Sequence, residues 1–132
     1  MMSREGQGMW RIRIDLIREW LDEQTEFTRG YIKAALEKLA EGGPGLGRPL
    51  VDTLNHSSIP NLKELRPYSC DGEEIRILFV FDPQRQAVML VGGDKSKGPQ
   101  RRKWAQWYKH MIPEAERIYR AWIEDNESES AD

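Results

Sequence analysis

The sequence predicts a small α+β domain in which a short antiparallel sheet carries two N-terminal helices and C-terminal helices. Three observations lead to this prediction. The β-rich stretch "EIRILFVFD" is followed by a turn and by "QAVMLVGG", which is the pattern of a β-hairpin. Stretches of helical periodicity lie before and after that hairpin. The length of 132 residues, 39% of them hydrophobic, suits a single domain with one modest core.

The N-terminal part predicts a strand and two helices. Residues 10–14 alternate apolar and charged side chains, which is the period of a strand with one buried face. From Leu16 the apolar residues take helical spacing, and Thr25 has the chemistry of an N-cap for a longer helix that ends at Gly42. We expect the buried side of that longer helix to consist of Phe27, Tyr31, Ala34, Ala35 and Leu39.

The central and C-terminal parts predict the rest of the sheet and two further helices. The segment "GGPGLGRPL" predicts a connector, and residues 62–65 predict a strand that Pro67 ends. Both faces of "EIRILFVFD" are apolar, so this strand is expected to be central and covered on both sides, while the helices as a group are expected against one face of the sheet. Two helices are expected around Pro113, over about residues 100–111 and 114–125, before a frayed acidic end.

We expect an N-terminal extension (residues 1–9), a single domain (10–125) and an acidic tail (126–132). No stretch approaches the roughly 18 apolar residues of a membrane helix, and no signal-peptide pattern opens the chain, so a cytoplasmic protein without membrane contact is expected. Cys70 is the only cysteine, and no cysteine and histidine cluster has the spacing of a zinc site. We therefore expect neither a metal nor a cofactor.

Charge is distributed unevenly along the chain. The totals of 20 Lys+Arg and 22 Asp+Glu give a net charge of −2, which argues against a strongly basic nucleic-acid binder. Between Lys95 and Lys109, however, six residues are basic and none is acidic, and Trp104, Trp107 and Tyr108 are interleaved. Cations and flat rings together are typical of a surface for single-stranded nucleic acid. The alternative is a solvated helix face whose rings, Trp104 above all, dock on the core.

Basic side chains also converge in the predicted sheet. Arg66 and Arg76 lie on neighbouring strands, and a connection centred near Cys70 places them opposite each other and facing the same way. The hairpin turn places Arg76 opposite about Val91, so Lys95, four residues further, has the same orientation. Like charges repel unless an anion lies between them, so this cluster indicates a bound phosphate. The alternative is that each cation pairs with a carboxylate. The candidates are Glu64, Glu73, Glu74 and Asp94.

Three further residues have chemistry of interest. Lys63 is a weaker member of the cluster, because strict alternation sends it to the opposite face from Arg66 unless a bulge intervenes. His56 and His110 have side chains that titrate near neutral pH. His56 lies in a polar loop, where a surface role is favoured, whereas His110 follows the basic segment beside Tyr108.

At "LGRPL", "NLKELRP", "EIRILFVFDPQRQAVMLVGGDKSK" and "WYKHMIPEAERIY" the chain resembles the HigB-like branch of the RelE/ParE superfamily of toxin proteins. The order and spacing of these blocks, over about residues 10–123, carry the resemblance. It implies a RelE-like fold and the toxin of a type II toxin–antitoxin system. Such a toxin is a metal-independent endoribonuclease that cleaves mRNA, usually on the ribosome. The resemblance also implies a cognate antitoxin, expected to be a helix-turn-helix protein.

The resemblance assigns roles by position. Arg66, Arg76, Lys95 and Lys63 are the implied catalytic residues. The expected substrate-binding residues are Lys97, Arg102, Lys103, Tyr108 and His110, of which Tyr108 and His110 compete for the family's C-terminal aromatic or histidine position. ParE-like relatives share the fold but act by binding DNA gyrase, and this is the main alternative. A third reading is an inactive protein that only binds an antitoxin.

Overall fold

A computed structural model describes residues 9–70, 72–97 and 103–131, with the backbone alone for residues 103 and 128–131. The fold is α+β, as predicted, with five strands in the order β1-β5-β4-β3-β2. The strands are β1 (Arg11–Arg13), β2 (Val51–Thr53), β3 (Lys63–Leu65), β4 (Ile75–Phe81) and β5 (Gln86–Asp94). The helices are α1 (Arg18–Asp22), α2 (Glu26–Gly42) and α3 (Lys103–Ala131), with short 3₁₀ turns at Asp15–Ile17 and Gly43–Gly45. Among these described helices, none is long and apolar enough to cross a membrane.

The sheet is mixed. Strands β3, β4 and β5 pair antiparallel, as predicted, and β2 pairs antiparallel with β3, but β1 pairs with β5 in parallel. Strand β2 follows the connector "GGPGLGRPL", where no strand was predicted, and its register places Val51 opposite Leu65. Its three residues are too few for the alternation of apolar and polar side chains along a strand to be recognised.

Strand β4 is the middle strand and is covered on both faces, as predicted. One core lies between the sheet and α2, and its members from these elements include Ile32, Leu39, Ile77 and Phe79. The second core lies between the sheet and α3, and its members include Leu62, Leu78, Leu90 and Ala115. The helices therefore flank both faces, and the expectation that they gather on one face is wrong.

Helix α2 begins as predicted, because the hydroxyl oxygen of Thr25 accepts a hydrogen bond from the backbone N–H of Thr28 at 3.1 Å. It ends at Gly42, also as predicted. The predicted buried stripe is correct for Ala35 and Leu39 and wrong for Phe27, which is 77% exposed, and for Ala34, which is exposed. The buried residues of the helix are Thr28, Ile32, Ala35, Leu39 and Ala40.

Helix α3 is continuous through Pro113, so the prediction of two C-terminal helices is wrong. Proline removes one hydrogen bond from a helix interior. Here Pro113 faces solvent, while Ile112 and the fully buried Ala115 pack against the second core. This packing keeps the segments before and after Pro113 in one continuous helix. The helix reaches Ala131, so the acidic end is helical there and not frayed.

Two consecutive glycines in β5 make room for tryptophan rings on opposite faces of the sheet. A Cβ on Gly92 would lie 2.5 Å from the ring of Trp20, and a Cβ on Gly93 would lie 2.8 Å from Nε1 of Trp107. Neither ring could approach a strand that carried a side chain at these positions.

The substitution Gly93→Ala is therefore expected to lower the free energy of unfolding by roughly 1–3 kcal/mol, because the Trp107 ring must shift within a packed core. Urea denaturation measures this loss. The matched control is Gly45→Ala, where no atom lies within 4 Å of the added methyl group, and a change within about 0.5 kcal/mol is expected. Equal losses in the two variants would contradict the close packing of Trp107.

Candidate functional site

Two sheet arginines meet where β3 and β4 pair. Leu65 lies opposite Ile77, so Arg66, the next residue, falls opposite Arg76, as the spacing of the strands predicts. Both guanidinium groups approach one carboxylate. Arg66 Nε donates a hydrogen bond to Glu64 Oε1 at 2.9 Å, and Arg76 Nε lies 4.0 Å from the same oxygen. The two arginines therefore share a partner on one face of the sheet.

A bulge at Leu90 brings β5 into the same site with a shifted register. Arg76 lies opposite Gly93 and not about Val91, so the predicted register is wrong at this end of the hairpin. Lys95 lies two residues beyond Gly93 and keeps the orientation of Arg76, because side chains alternate along a strand. We call Arg66, Arg76 and Lys95 the cationic cluster.

Glu64 lies at the centre of the cationic cluster, and its side chain is fully buried. One oxygen accepts the hydrogen bond from Arg66, and the other accepts a short hydrogen bond from the hydroxyl of Tyr108 on α3. A single carboxylate thus joins the sheet to the C-terminal helix. The sequence identifies Glu64 only as a pairing candidate. Its position two residues before Arg66 already places it on the same face and was the available signal.

Carboxylates at the edge of the cationic cluster complete the pairing. Arg66 Nη2 lies 3.2 Å from Asp52 Oδ2, and Arg76 Nη2 lies 3.7 Å from Glu74 Oε1. The alternative in which the cations pair with carboxylates is therefore correct for both arginines, although they share Glu64. Arg76 Nη1 donates a hydrogen bond to the backbone carbonyl oxygen of Ile75 at 2.8 Å. The contacts of Arg76 with carboxylates are longer than those of Arg66, and among the described residues its buried Nε has no hydrogen-bond partner.

Lys95 is the member of the cationic cluster that lies beneath α3, and it is only 8% exposed. Its Nζ lies 3.4 Å from the hydroxyl oxygen of Tyr108 and 4.8 Å from the ring centre of Trp104. Burial lowers the pKa of the Lys95 ammonium group, and the positive charge of Arg76 lowers it further. No ion pair of Lys95 is present in the described part of the chain. These surroundings favour the neutral amine more than water does.

Tyr108 is a fixed hydrogen-bond donor. Burial raises the pKa of its hydroxyl well above the ordinary value, and the hydrogen bond to Glu64 raises it further. The hydroxyl therefore stays protonated near neutral pH and cannot act as a base. Its bond to Glu64 positions α3 over the cationic cluster.

Asp94 shapes the end of β5. Its Oδ1 accepts hydrogen bonds from the backbone N–H groups of Glu74 and Ser96, each at 2.9 Å, and from the Ser96 hydroxyl at 2.6 Å. Burial raises the pKa of Asp94, but these hydrogen bonds outweigh burial and hold it below the usual range. Asp94 thus fixes the backbone on either side of Lys95.

Lys63 lies away from the cationic cluster. It is opposite Phe79, whose ring belongs to the core under α2, and no bulge interrupts the β3 pairing. Its Nζ donates a hydrogen bond to the hydroxyl oxygen of Thr53 at 2.8 Å. Strict alternation therefore holds for Lys63, which faces the other side of the sheet.

The expected substrate-binding residues are only partly placed by the structure. Lys97 and His110 are exposed. Arg102 lies outside the described residues, and only the backbone of Lys103 is described. Trp104 is 49% exposed beside Lys95, so the expectation that its ring docks on the core is wrong.

The sheet presents two arginines and a lysine beneath the C-terminal helix. Residues 19–120 match the model of the family described as phage derived protein Gp49-like (DUF891). The chain therefore belongs to this family and is HigB-like.

Two curated relatives come from Mycobacterium tuberculosis (strain ATCC 25618 / H37Rv). "Putative toxin HigB2" is 44% identical over 110 residues, which are 83% of this chain and 52% of that protein. "Putative toxin HigB3" is 39% identical over 112 residues, which are 85% of this chain and 91% of that protein. The chain thus spans about half the length of the first relative and most of the second. No solved structure matches the chain.

Proposed function

We propose that this HigB-like protein is the toxin of a type II toxin–antitoxin system and a metal-independent endoribonuclease that cleaves mRNA on the ribosome. The observation that carries the proposal is the cationic cluster, in which Arg66, Arg76 and Lys95 converge and, among the described residues, the Arg76 Nε–H group has no hydrogen-bond partner. The likeness to two proteins named as toxins supports the toxin role and a cognate antitoxin, which we take to be a helix-turn-helix protein.

The proposed reaction uses the nucleophile of the RNA itself. The ribose 2′-oxygen attacks the adjacent phosphorus and loses its proton to a base. The bond from phosphorus to the 5′-oxygen breaks, and that oxygen takes up a proton. The products are a 2′,3′-cyclic phosphate and a free 5′-hydroxyl. The protein has to align the 2′-hydroxyl, donate to the nonbridging oxygens and transfer protons.

The contact distances favour Arg76 for the phosphate contact. Arg66 is held by Glu64 at 2.9 Å and by Asp52 at 3.2 Å, whereas the contacts of Arg76 with carboxylates are 3.7 Å and 4.0 Å. Arg76 Nη1 also donates to the backbone carbonyl oxygen of Ile75 at 2.8 Å. An arriving phosphate therefore competes with longer carboxylate contacts at Arg76 than at Arg66. In this proposal Arg76 donates to the phosphate, and Arg66 adds charge from a fixed position.

Lys95 is the proposed proton-transfer group. A lysine accepts a proton only when burial or neighbouring cations lower its pKa, and Lys95 has both features. Lys63 is the other lysine that the resemblance implies in catalysis, but its contact with Thr53 lies on the far face of the sheet. We therefore leave Lys63 out of the proposed machinery.

Lys95→Arg is expected to remove the pH dependence of cleavage. In the native protein the rate should rise with pH as the amine loses its proton, with a midpoint below the ordinary lysine value of 10.5. Arginine keeps the charge but stays protonated, so the rate should fall about 10²–10⁴-fold and stay flat with pH. Single-turnover rates on RNA, corrected for cleavage without protein, measure this. An unchanged rise in Lys95→Arg would contradict the role of Lys95.

A second candidate is a ParE-like toxin that binds DNA gyrase. The observation that favours it is the pairing of both arginines with carboxylates, which is also what a purely structural cluster would show. The two candidates differ in what fails first in a cell. RNA cleavage stops protein synthesis first, whereas gyrase poisoning breaks DNA first.

The test is brief expression of the native protein and of Arg76→Ala in growing bacteria, with sequencing of transcript 5′ ends. The proposal predicts new 5′-hydroxyl ends inside coding regions, and a fall in protein synthesis before any DNA break, for the native protein only. DNA breaks with intact transcripts would overturn it in favour of gyrase binding.

A further inference from the structure

A groove of about 430 Å³ lies beside the cationic cluster, between the β2–β3 loop and helix α3. Leu54 and Ile112 form apolar walls, and Tyr108 forms the boundary with the cluster. The polar side chains at the groove include Asn55, His56, Lys109 and the carboxylate of Glu116. We call this the flanking groove. It gives His56, expected to be a simple surface residue, a definite position next to the site.

The flanking groove is held open by a tether between the loop and the helix. Glu116 Oε2 on α3 accepts hydrogen bonds from the Ser57 hydroxyl at 2.8 Å and from the backbone N–H of Ser58 at 2.7 Å. The next residue, Ile59, is buried in the second core. These contacts fix the C-terminal end of the short segment that carries Asn55 and His56. At its N-terminal end, the backbone N–H of Leu54 donates a hydrogen bond to the carbonyl oxygen of Leu62 at 2.8 Å. The groove is therefore formed before any ligand arrives, which reduces the entropy lost on binding.

The size and chemistry of the flanking groove suit one flat ring with a polar edge. Its volume lies within the range of about 300–1,000 Å³ that is typical of small-molecule pockets. The walls are apolar, and the Asn55 amide offers both a donor and an acceptor, as recognition of a base edge requires. The rings of Tyr108 and His56 are groups on which an unpaired base can stack.

The position of the flanking groove links it to the proposed reaction. The hydroxyl of Tyr108 is bonded to Glu64 inside the cationic cluster, while the same residue lines the groove. A phosphate on Arg76 and a base in the groove would thus lie on two sides of one side chain. Lys109 adds positive charge on the groove side, which suits an RNA strand.

We propose that the flanking groove binds the nucleobase next to the scissile phosphate, and that Asn55 and His56 determine which base is preferred. The inference rests on the proposed ribonuclease function and adds a specificity site to it. Its ligand is one unpaired RNA base.

The experiment compares the native protein with Asn55→Ala and His56→Ala on ribosomes programmed with short mRNAs that differ only in the base beside the cut. Both side chains are exposed, so both variants should fold. We expect kcat/KM for the preferred base to fall roughly tenfold or more, mainly through KM. On an mRNA with an abasic residue at that position, the variants should match the native protein. Gln106→Ala, an exposed amide on α3 that does not line the groove, is the control and should keep the native preference.

The other outcomes separate a failure of the groove inference from a failure of the proposed function. Native cleavage with unchanged base preference in both variants would overturn the groove inference and leave the ribonuclease proposal standing. Unchanged preference together with weaker binding of the purified antitoxin would overturn it in favour of a protein-docking groove. Absence of RNA cleavage by the native protein would overturn the proposed function itself.

Discussion

Replacing Arg76 by alanine is expected to slow RNA cleavage about 10²–10³-fold, the typical loss when a donor to transition-state charge is removed. Alanine removes the hydrogen bond from Arg76 Nη1 to the carbonyl oxygen of Ile75 and a buried Nε that has no hydrogen-bond partner in the described structure. Glu64 keeps its bonds to Arg66 and Tyr108, so no buried charge loses all its partners. The fold and the binding of the antitoxin should therefore survive.

The measurement is the single-turnover cleavage rate, with circular dichroism and antitoxin affinity recorded on the same samples. Arg18→Ala, an exposed arginine on α1, is the matched control and should keep the native rate. Arg76→Lys keeps the charge without the planar guanidinium group and should recover only part of the rate. Undiminished cleavage by a folded Arg76→Ala protein would remove Arg76 from the mechanism.

Replacing Glu64 by alanine is expected to cause the largest loss of stability. Removal of one partner from a buried ion pair typically costs roughly 3–5 kcal/mol. The side chains of Arg66 and Arg76 retain 27% and 13% exposure, so solvent screens part of this cost and the lower end of that range is expected. The Tyr108 hydroxyl also loses its acceptor, which weakens the joint between the sheet and α3.

Urea denaturation of Glu64→Ala, Glu64→Gln and the native protein measures this effect. Glutamine keeps an acceptor for Tyr108 but not the charge, so its loss should be smaller. Glu37→Ala removes an exposed carboxylate from α2 and should change the free energy of unfolding by less than about 0.5 kcal/mol. If Glu64→Ala were no more destabilised than Glu37→Ala, the central role of Glu64 would be refuted.

Local sequence patterns predicted the parts of the fold that depend on residues near each other in the chain. The β4–β5 hairpin follows from its turn, and the covered position of β4 follows from apolar residues on both of its faces. The parallel pairing of β1 depends on a partner about 75 residues away, which no local pattern encodes. In α2, one stripe begins at Phe27 and another at Thr28, both with helical spacing. Only packing against the sheet selects the second.

The candidate site was predictable to the same extent. The number of residues between each arginine and the centre of the intervening loop was enough to place Arg66 opposite Arg76. Tyr108 contacts Glu64 whereas His110 is exposed, and this depends on the rotation of α3 about its axis, which its packing on the sheet determines. The bulge at Leu90 adds a residue that the turn does not reveal. The lowered pKa of Lys95 requires knowledge of its burial in three dimensions.

In the proposed mechanism the cationic cluster promotes attack by a ribose 2′-hydroxyl on the adjacent phosphate. The most direct measurement uses purified protein, ribosomes programmed with a short mRNA, and the same mRNA with a single 2′-deoxy nucleotide at the cut. We predict 2′,3′-cyclic phosphate and 5′-hydroxyl ends on the first RNA and no cleavage of the second. Cleavage of the deoxy-substituted RNA at the native rate, or products with 5′-phosphate ends, would contradict the account.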